Sequence, residues 1–194
     1  MRLLQQLGSI VIHGSRLAFF LPANRNAFDA SYVASAIVLA LIGCVWFGLD
    51  LSILGADEEI PWLFYDLAAL LRPFVFSVGV AGLGRALSRR LPFRMLLASL
   101  AGTMWAPDAA GLMLDRIRQY LEASLAESPW PQGITSAMFG YLGLLVLHLS
   151  LIAWVALVLY RNVRLIAGPP AVGLAVSLIT LGLAAVFAID FAIG

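Results

Sequence analysis

The chain has 194 residues, 62% of them hydrophobic and only 12% charged, with a mean hydropathy of +0.95. That balance excludes an ordinary water-soluble domain and fits a polytopic membrane protein forming one bundle. Twelve basic residues, all arginine, face 11 acidic ones for a net charge of +1, so no one-sided basic surface exists to neutralise phosphates and nucleic-acid binding is excluded.

Residues 1–29 are expected to form an amphipathic interfacial helix and a linker. Leu3, Leu7, Ile10, Val11, Leu17 and Ala18 share one helical face, with Gln5, Gln6, Ser9, His13 and Arg16 mostly opposite. Gln5, Gln6, His13 and Arg16 interrupt the uniform apolar run of a signal peptide, so the segment is expected to be retained. Leu21-Pro22 and the polar run 24–26 break the chain before the first long apolar stretch.

Five such stretches follow, at about 30–49, 65–87, 94–114, 135–160 and 171–193, each near the roughly 20 residues that cross a hydrocarbon core of about 30 Å. The expected fold is therefore all-α, a transmembrane bundle of five helices over residues 30–194. The first connection is acidic (Asp50, Asp57, Glu58, Glu59) and the second basic (Arg85, Arg89, Arg90, Arg94). A cytoplasmic N-terminus puts Arg2, Arg16, Arg25, Arg85, Arg89, Arg90, Arg94, Arg161 and Arg164 inside and only Arg116 and Arg118 in outer loops. The C-terminus is then outside, with Trp46, Trp62, Trp105 and Trp130 near or beyond outer span ends; Trp105 fits that belt least well. Ile117, Tyr120, Leu121 and Leu125 predict a short outer-surface helix that ends at Pro129-Trp130-Pro131, and Gly168-Pro169-Pro170 predicts a tight turn between the last two spans. The all-arginine basic set is what GC-rich coding produces, which points to a bacterial inner (plasma) membrane as the location of this multi-pass chain. Cys44, the one cysteine, excludes an intramolecular disulfide or a CxxC metal site and is expected to be a packing residue.

Two patches, Arg72-Pro73 and Pro107-Asp108, put a charge beside a helix breaker within an apolar stretch. An intramembrane charge costs about 2.5–3.5 kcal/mol on insertion scales, so each calls for a partner. Measured from Arg85, Arg94 and Arg161 as a common rim, Arg72, Asp108 and His148 each lie about 20 Å along their helices and would form one polar layer. Pro73 and Pro107 also free the carbonyls of Ala69 and Thr103. One reading of the layer is an Arg72–Asp108 pair that fixes how two spans dock; the other is a cavity in which Asp108 and His148 bind or relay an ion or proton. Ala98, Gly102, Ala106 and Ala110 recur every four residues as a small-residue stripe, for packing inside the bundle or against another membrane protein. Gly79, Gly82 and Gly84 lack the strand and lysine of a phosphate loop and are read as packing glycines.

Enzyme motifs fail. Glu58-Glu59 is similar to the start of the paired-glutamate motif of membrane prenyl-protein proteases, but Leu63 stands where that family has arginine and no matching histidine motif follows. There is no GxSxG elbow, HExxH pair or acidic metal cluster, so no catalytic residue, cofactor or metal is expected.

Over roughly residues 17–190 the order of features resembles the Yip (Rab-interacting) family of five-span membrane proteins. The most specific element is Leu100-Ala101-Gly102-Thr103-Met104-Trp105-Ala106-Pro107, which is similar to the glycine, aromatic and proline pattern of that family's third span; Thr103 follows the glycine where the family usually has an aromatic. The resemblance implies a bundle that acts through contacts with membrane proteins or lipids, with no catalytic residues to carry over. The functional expectation is a non-enzymatic scaffold or accessory subunit partnered by membrane lipids and other integral membrane proteins. The alternative is a small channel or transporter built on the Arg72, Asp108 and His148 layer.

Overall fold

A computed structural model describes residues 2–54, 62–126, 132–167 and 169–193. The described residues form α1 (Arg2–Ala18), a 3-10 turn (Arg25–Phe28), α2 (Tyr32–Leu54), α3 (Trp62–Leu87), α4 (Phe93–Thr103), α5 (Trp105–Ala126), α6 (Gln132–Ala167) and α7 (Pro170–Ile193). Three of these helices are long and apolar enough to cross a membrane, with candidate spans Tyr32–Leu49, Leu70–Leu87 and Met138–Ile166, and the stretch Pro170–Gly182 of α7 is a shorter apolar helix.

The core forms around α4. Every residue from Leu96 to Thr103 is buried, and α4 packs against α1, α2, α3 and α6. A helix enclosed on all sides needs apolar or small residues around its whole circumference, and Leu-Leu-Ala-Ser-Leu-Ala-Gly-Thr supplies them. Its hydroxyls are absorbed locally: Ser99 Oγ donates to the Leu96 carbonyl, and Thr103 Oγ1 lies within hydrogen-bond distance of the Ser99 and Leu100 carbonyls.

The N-terminal helix belongs to this core. Ile10, Gly14, Leu17 and Ala18 of α1 are buried, and Gly14 and Gly102 meet backbone to backbone, so that a Cβ on either would collide with the other helix. Ile10, Leu17 and Phe28 share one buried cluster with residues of α2, α3, α4, α6 and α7. The face read from sequence divides: Ile10, Leu17 and Ala18 are buried, whereas Leu3 and Val11 are exposed. The polar side of α1 is used by the chain that returns along it. Ser9 Oγ donates to the Ala27 carbonyl at 3.0 Å, the Asn24 N–H donates to His13 Nδ1 at 3.3 Å, and Ser31 Oγ donates to Gln6 Oε1 at 3.0 Å.

The reversal between α1 and this return segment is a Schellman motif. The Leu21 N–H reaches the Arg16 carbonyl and the Phe20 N–H the Leu17 carbonyl, which puts Phe20 at the left-handed position with φ 59°. A non-glycine residue there costs roughly 1–2 kcal/mol. Arg161 offsets that cost, because its guanidinium lies 5.2 Å from the Phe20 ring centroid and donates to the Leu21 carbonyl at 3.2 Å.

Three local expectations change. The stretch 94–114 is interrupted at Met104, because Pro107 has no N–H for the Thr103 carbonyl; the ladder resumes where the Asp108 N–H reaches the Met104 carbonyl at 3.2 Å. The separate surface helix expected around Ile117–Leu125 is the continuation of α5, since no breaker stands between Gly111 and Ala126. Cys44 is exposed on α2. Where a turn is expected, α6 ends at Ala167 and α7 begins with Pro170 at the first helical position, Gly168 lying outside the described residues. Of the three glycines ahead of the basic turn, Gly84 faces α4 so closely that a Cβ on it would lie 2.9 Å from Leu96 Cδ2, while Gly79 and Gly82 face open space.

Substitution of either crossing glycine tests the α1–α4 contact. Gly14→Ala and Gly102→Ala are expected each to lower stability by about 1–3 kcal/mol, the usual range for overpacking. Gly8→Ala, in α1 with nothing near its Cβ position, is expected to be neutral or stabilising by up to about 1 kcal/mol. Thermal denaturation of the detergent-solubilised chain measures all three.

Candidate functional site

The two charged patches meet. Arg72 of α3 and Asp108 of α5 form an ion pair with Nη2 to Oδ1 at 3.6 Å, the carboxylate side chain 22% exposed and the guanidinium side chain 70% exposed. The break at Met104 contributes to this, because Asp108 falls in the first turn of the new helix α5. A carboxylate there faces the positive end of the helix dipole. Pro73, by contrast, is accommodated inside a helix that runs unbroken from Trp62 to Leu87.

Between α3, α5 and α6 the pair borders a cavity of about 180 Å³. Phe76, Met104, Pro107, Leu151 and Val155 give it a mostly apolar wall. It is large enough for a few waters or one small polar molecule beside a paired charge. Among the described residues no three His, Cys, Asp or Glu side chains converge as a metal site.

His148 stands apart from this pair. Its Nδ1 lies 2.8 Å from the Leu144 carbonyl of its own helix, and the residues that α6 contributes to the cavity are Leu151 and Val155. The register of α5 against α6 explains the offset. Asn162 donates to Thr103 Oγ1, and Cβ positions at Gly111 and Gly140 lie against Leu151 and Leu121 respectively. This antiparallel register sets His148 opposite Leu114, six residues or about 9 Å along the helix from Asp108. Arg161 is thus level with the α4–α5 break and not with Arg94, because α6 continues to Ala167.

Of the small-residue stripe, Ala98, Gly102 and Ala106 are buried within the chain and Ala110 is half-buried. Gly102 receives α1. Trp105, expected in an outer belt, donates from Nε1 to Ser15 Oγ at 3.1 Å and stacks edge-on with Phe19. Trp154 donates to the Ala18 carbonyl at 2.8 Å. Trp130, Glu58 and Glu59, and the side chains of Trp62, Asp66 and Asp190, lie outside the described residues.

Sequence reading misses the buried Asn162, fully enclosed on α6. Its amide donates to Thr103 Oγ1 at 3.3 Å and to the Val158 carbonyl at 2.8 Å, while Oδ1 is buried and finds no donor among the described residues. Its position between Arg161 and Val163, in a run ending at Arg164, disguises it as part of a solvated helix end.

No family model, curated protein or solved structure matches the chain.

The pair makes a definite mutational prediction. Arg72→Leu leaves a largely buried carboxylate alone and is expected to cost about 1–2 kcal/mol, between the ranges for exposed and buried pairs. Asp108→Leu leaves an exposed guanidinium and is expected to cost less. The double replacement should be milder than Arg72→Leu alone; strictly additive losses in chemical denaturation would show that the two groups do not interact.

Proposed function

We propose that this chain is a non-enzymatic integral membrane protein that works as a scaffold or accessory subunit, through helix packing with other membrane proteins or lipids. In this reading the five spans are α2, α3, the broken pair α4–α5, α6 and α7, in a bacterial inner membrane, with the N-terminus cytoplasmic and the C-terminus outside. The resemblance of residues 100–107 to the third span of the Yip family is in keeping with it.

The observation that carries the reading is the free side of α6. Met138, Leu142, Leu145, Leu149 and Ile152 recur at alternating spacings of four and three residues, and all are exposed, between 48% and 63%. Such spacing keeps one seam of large side chains on one side of a helix, the pattern that a second helix engages by knobs-into-holes packing. The ion pair fits the same role, since Arg72 and Asp108 serve each other across two helices.

Extraction of the full chain in mild detergent followed by native mass spectrometry tests this. A stoichiometric second membrane polypeptide is expected, lost on Leu145→Asn/Leu149→Asn; recovery of a lone monomer would count against the accessory role.

The cavity beside Asp108 favours a second reading, a small channel or transporter. Vesicles reconstituted with the chain should then pass ions or protons in a manner abolished by Asp108→Asn. Vesicles that stay tight would sink this alternative.

A further inference from the structure

We infer that the groove between the α1–α2 link and the last turns of α6 binds the phosphodiester headgroup of an anionic phospholipid. The groove has a volume of about 500 Å³; Arg161, Arg164 and Tyr160 give it its polar groups, and Leu17, Pro22 and Leu165 are among its apolar lining. Arg161 and Arg164 are three residues apart on one helix, which sets their Cβ atoms about 5–6 Å apart on a shared face.

Both guanidiniums are held in place without being neutralised. Arg161 is fixed by the Leu21 carbonyl and the Phe20 ring, and Arg164 Nη1 donates to Tyr160 Oη at 3.3 Å. Neither pairs with a carboxylate among the described residues, in contrast to Arg72 with Asp108 and Arg94 with Asp29. Two oriented guanidiniums with donors to spare match the oxygens of a phosphate. The carbonyl end of α6 repels an anion, so the arginines themselves must supply the attraction.

The rim of the groove selects the lipid over a free phosphate ester. Phe20 and Leu21, both in contact with Arg161, are exposed at 45% and 51%, an apolar edge beside the charge. Acyl chains can lie along that edge while the headgroup occupies the groove, the arrangement of basic lipid sites at the ends of transmembrane helices. The strained Phe20 backbone, φ 59°, holds that edge against Arg161.

This inference rests on the reading of the chain as a membrane protein, but not on its having a protein partner. The full chain in a zwitterionic detergent is titrated with phosphatidylglycerol or with phosphatidylcholine of the same acyl chains, and bound lipid is counted by native mass spectrometry. Selective retention of phosphatidylglycerol is expected. Arg164→Gln, which disturbs only the contact with Tyr160, should weaken it about fivefold and Arg161→Gln/Arg164→Gln about 25-fold. Arg89→Gln/Arg90→Gln, outside the groove, should leave it unchanged. Equal retention of the two lipids, or indifference to Arg164→Gln and Arg164→Glu in a chain of unaltered helicity, would overturn the site. Displacement of the lipid by millimolar glycerol 3-phosphate would overturn the lipid assignment in favour of a free phosphate ester. A lipid-selective groove on a chain that carries no partner would leave this inference standing and remove the accessory reading; the reverse result would remove only the groove.

Discussion

The backbone contact between Gly14 and Gly102 is the constraint on which the bundle depends. With any side chain at either position α1 would stand off from α4, and the buried ends of both helices would lose their neighbours. Close approach has a direct consequence for polar groups. It brings Ser15 within reach of the Trp105 indole and the Ala18 carbonyl within reach of the Trp154 indole, so two large side chains with an obligatory donor are satisfied at the same junction. It also fixes the start of the return segment, whose hydrogen bonds to Ser9, His13 and Gln6 depend on α1 being held in place.

From α4 the chain passes through the weakest point of its helical ladder. Pro107 leaves the Thr103 carbonyl without its usual donor, and the Thr103 hydroxyl is committed to Ser99, Leu100 and Asn162. The break does two things at once. It creates a helix N-terminus in the protein interior, and it places Asp108 in that first turn opposite Arg72. A carboxylate in the middle of an uninterrupted helix would lack the first of these stabilising fields. Proline and aspartate are therefore neighbours in sequence for one electrostatic reason, and the guanidinium of a second helix completes it.

Much of this is legible in the sequence, and the failures have identifiable causes. The helical character of the long apolar stretches, the break between α6 and α7 and the approach of Arg72 to Asp108 follow from hydropathy, proline chemistry and the cost of an unpaired charge. His148 is misplaced when its depth is counted from Arg161, and a sequence cannot say which arginine of a helix stands at its rim. The 36 residues of α6 run past Arg161 to Ala167, which shifts the whole helix against its neighbours. Gly14 does not stand out, because one glycine in an amphipathic segment carries no periodic signal; only its meeting with Gly102, itself part of a visible stripe, gives it meaning. Asn162 is hidden for the opposite reason, since flanking arginines make a buried amide look solvated.

The arginines sort by what occupies them, and that sorting links fold to function. Arg85 donates to the carbonyls of Arg89 and Leu91, closing the α3–α4 turn. Arg94 pairs with Asp29 and ties the start of α4 to the return segment. Arg72 answers Asp108. In each case the partner is supplied by the chain, and the charge or donor is committed to holding two segments together. Arg161 and Arg164 are, like Arg85, oriented by neutral groups, here backbone, ring and phenol, but they stand together on one face of α6 and among the described residues neither pairs with a carboxylate. In an apolar chain with a net charge of only +1, two oriented cations beside an exposed apolar edge offer a site to an anion from the surroundings, and an anionic lipid is the anion whose chains can also cover that edge.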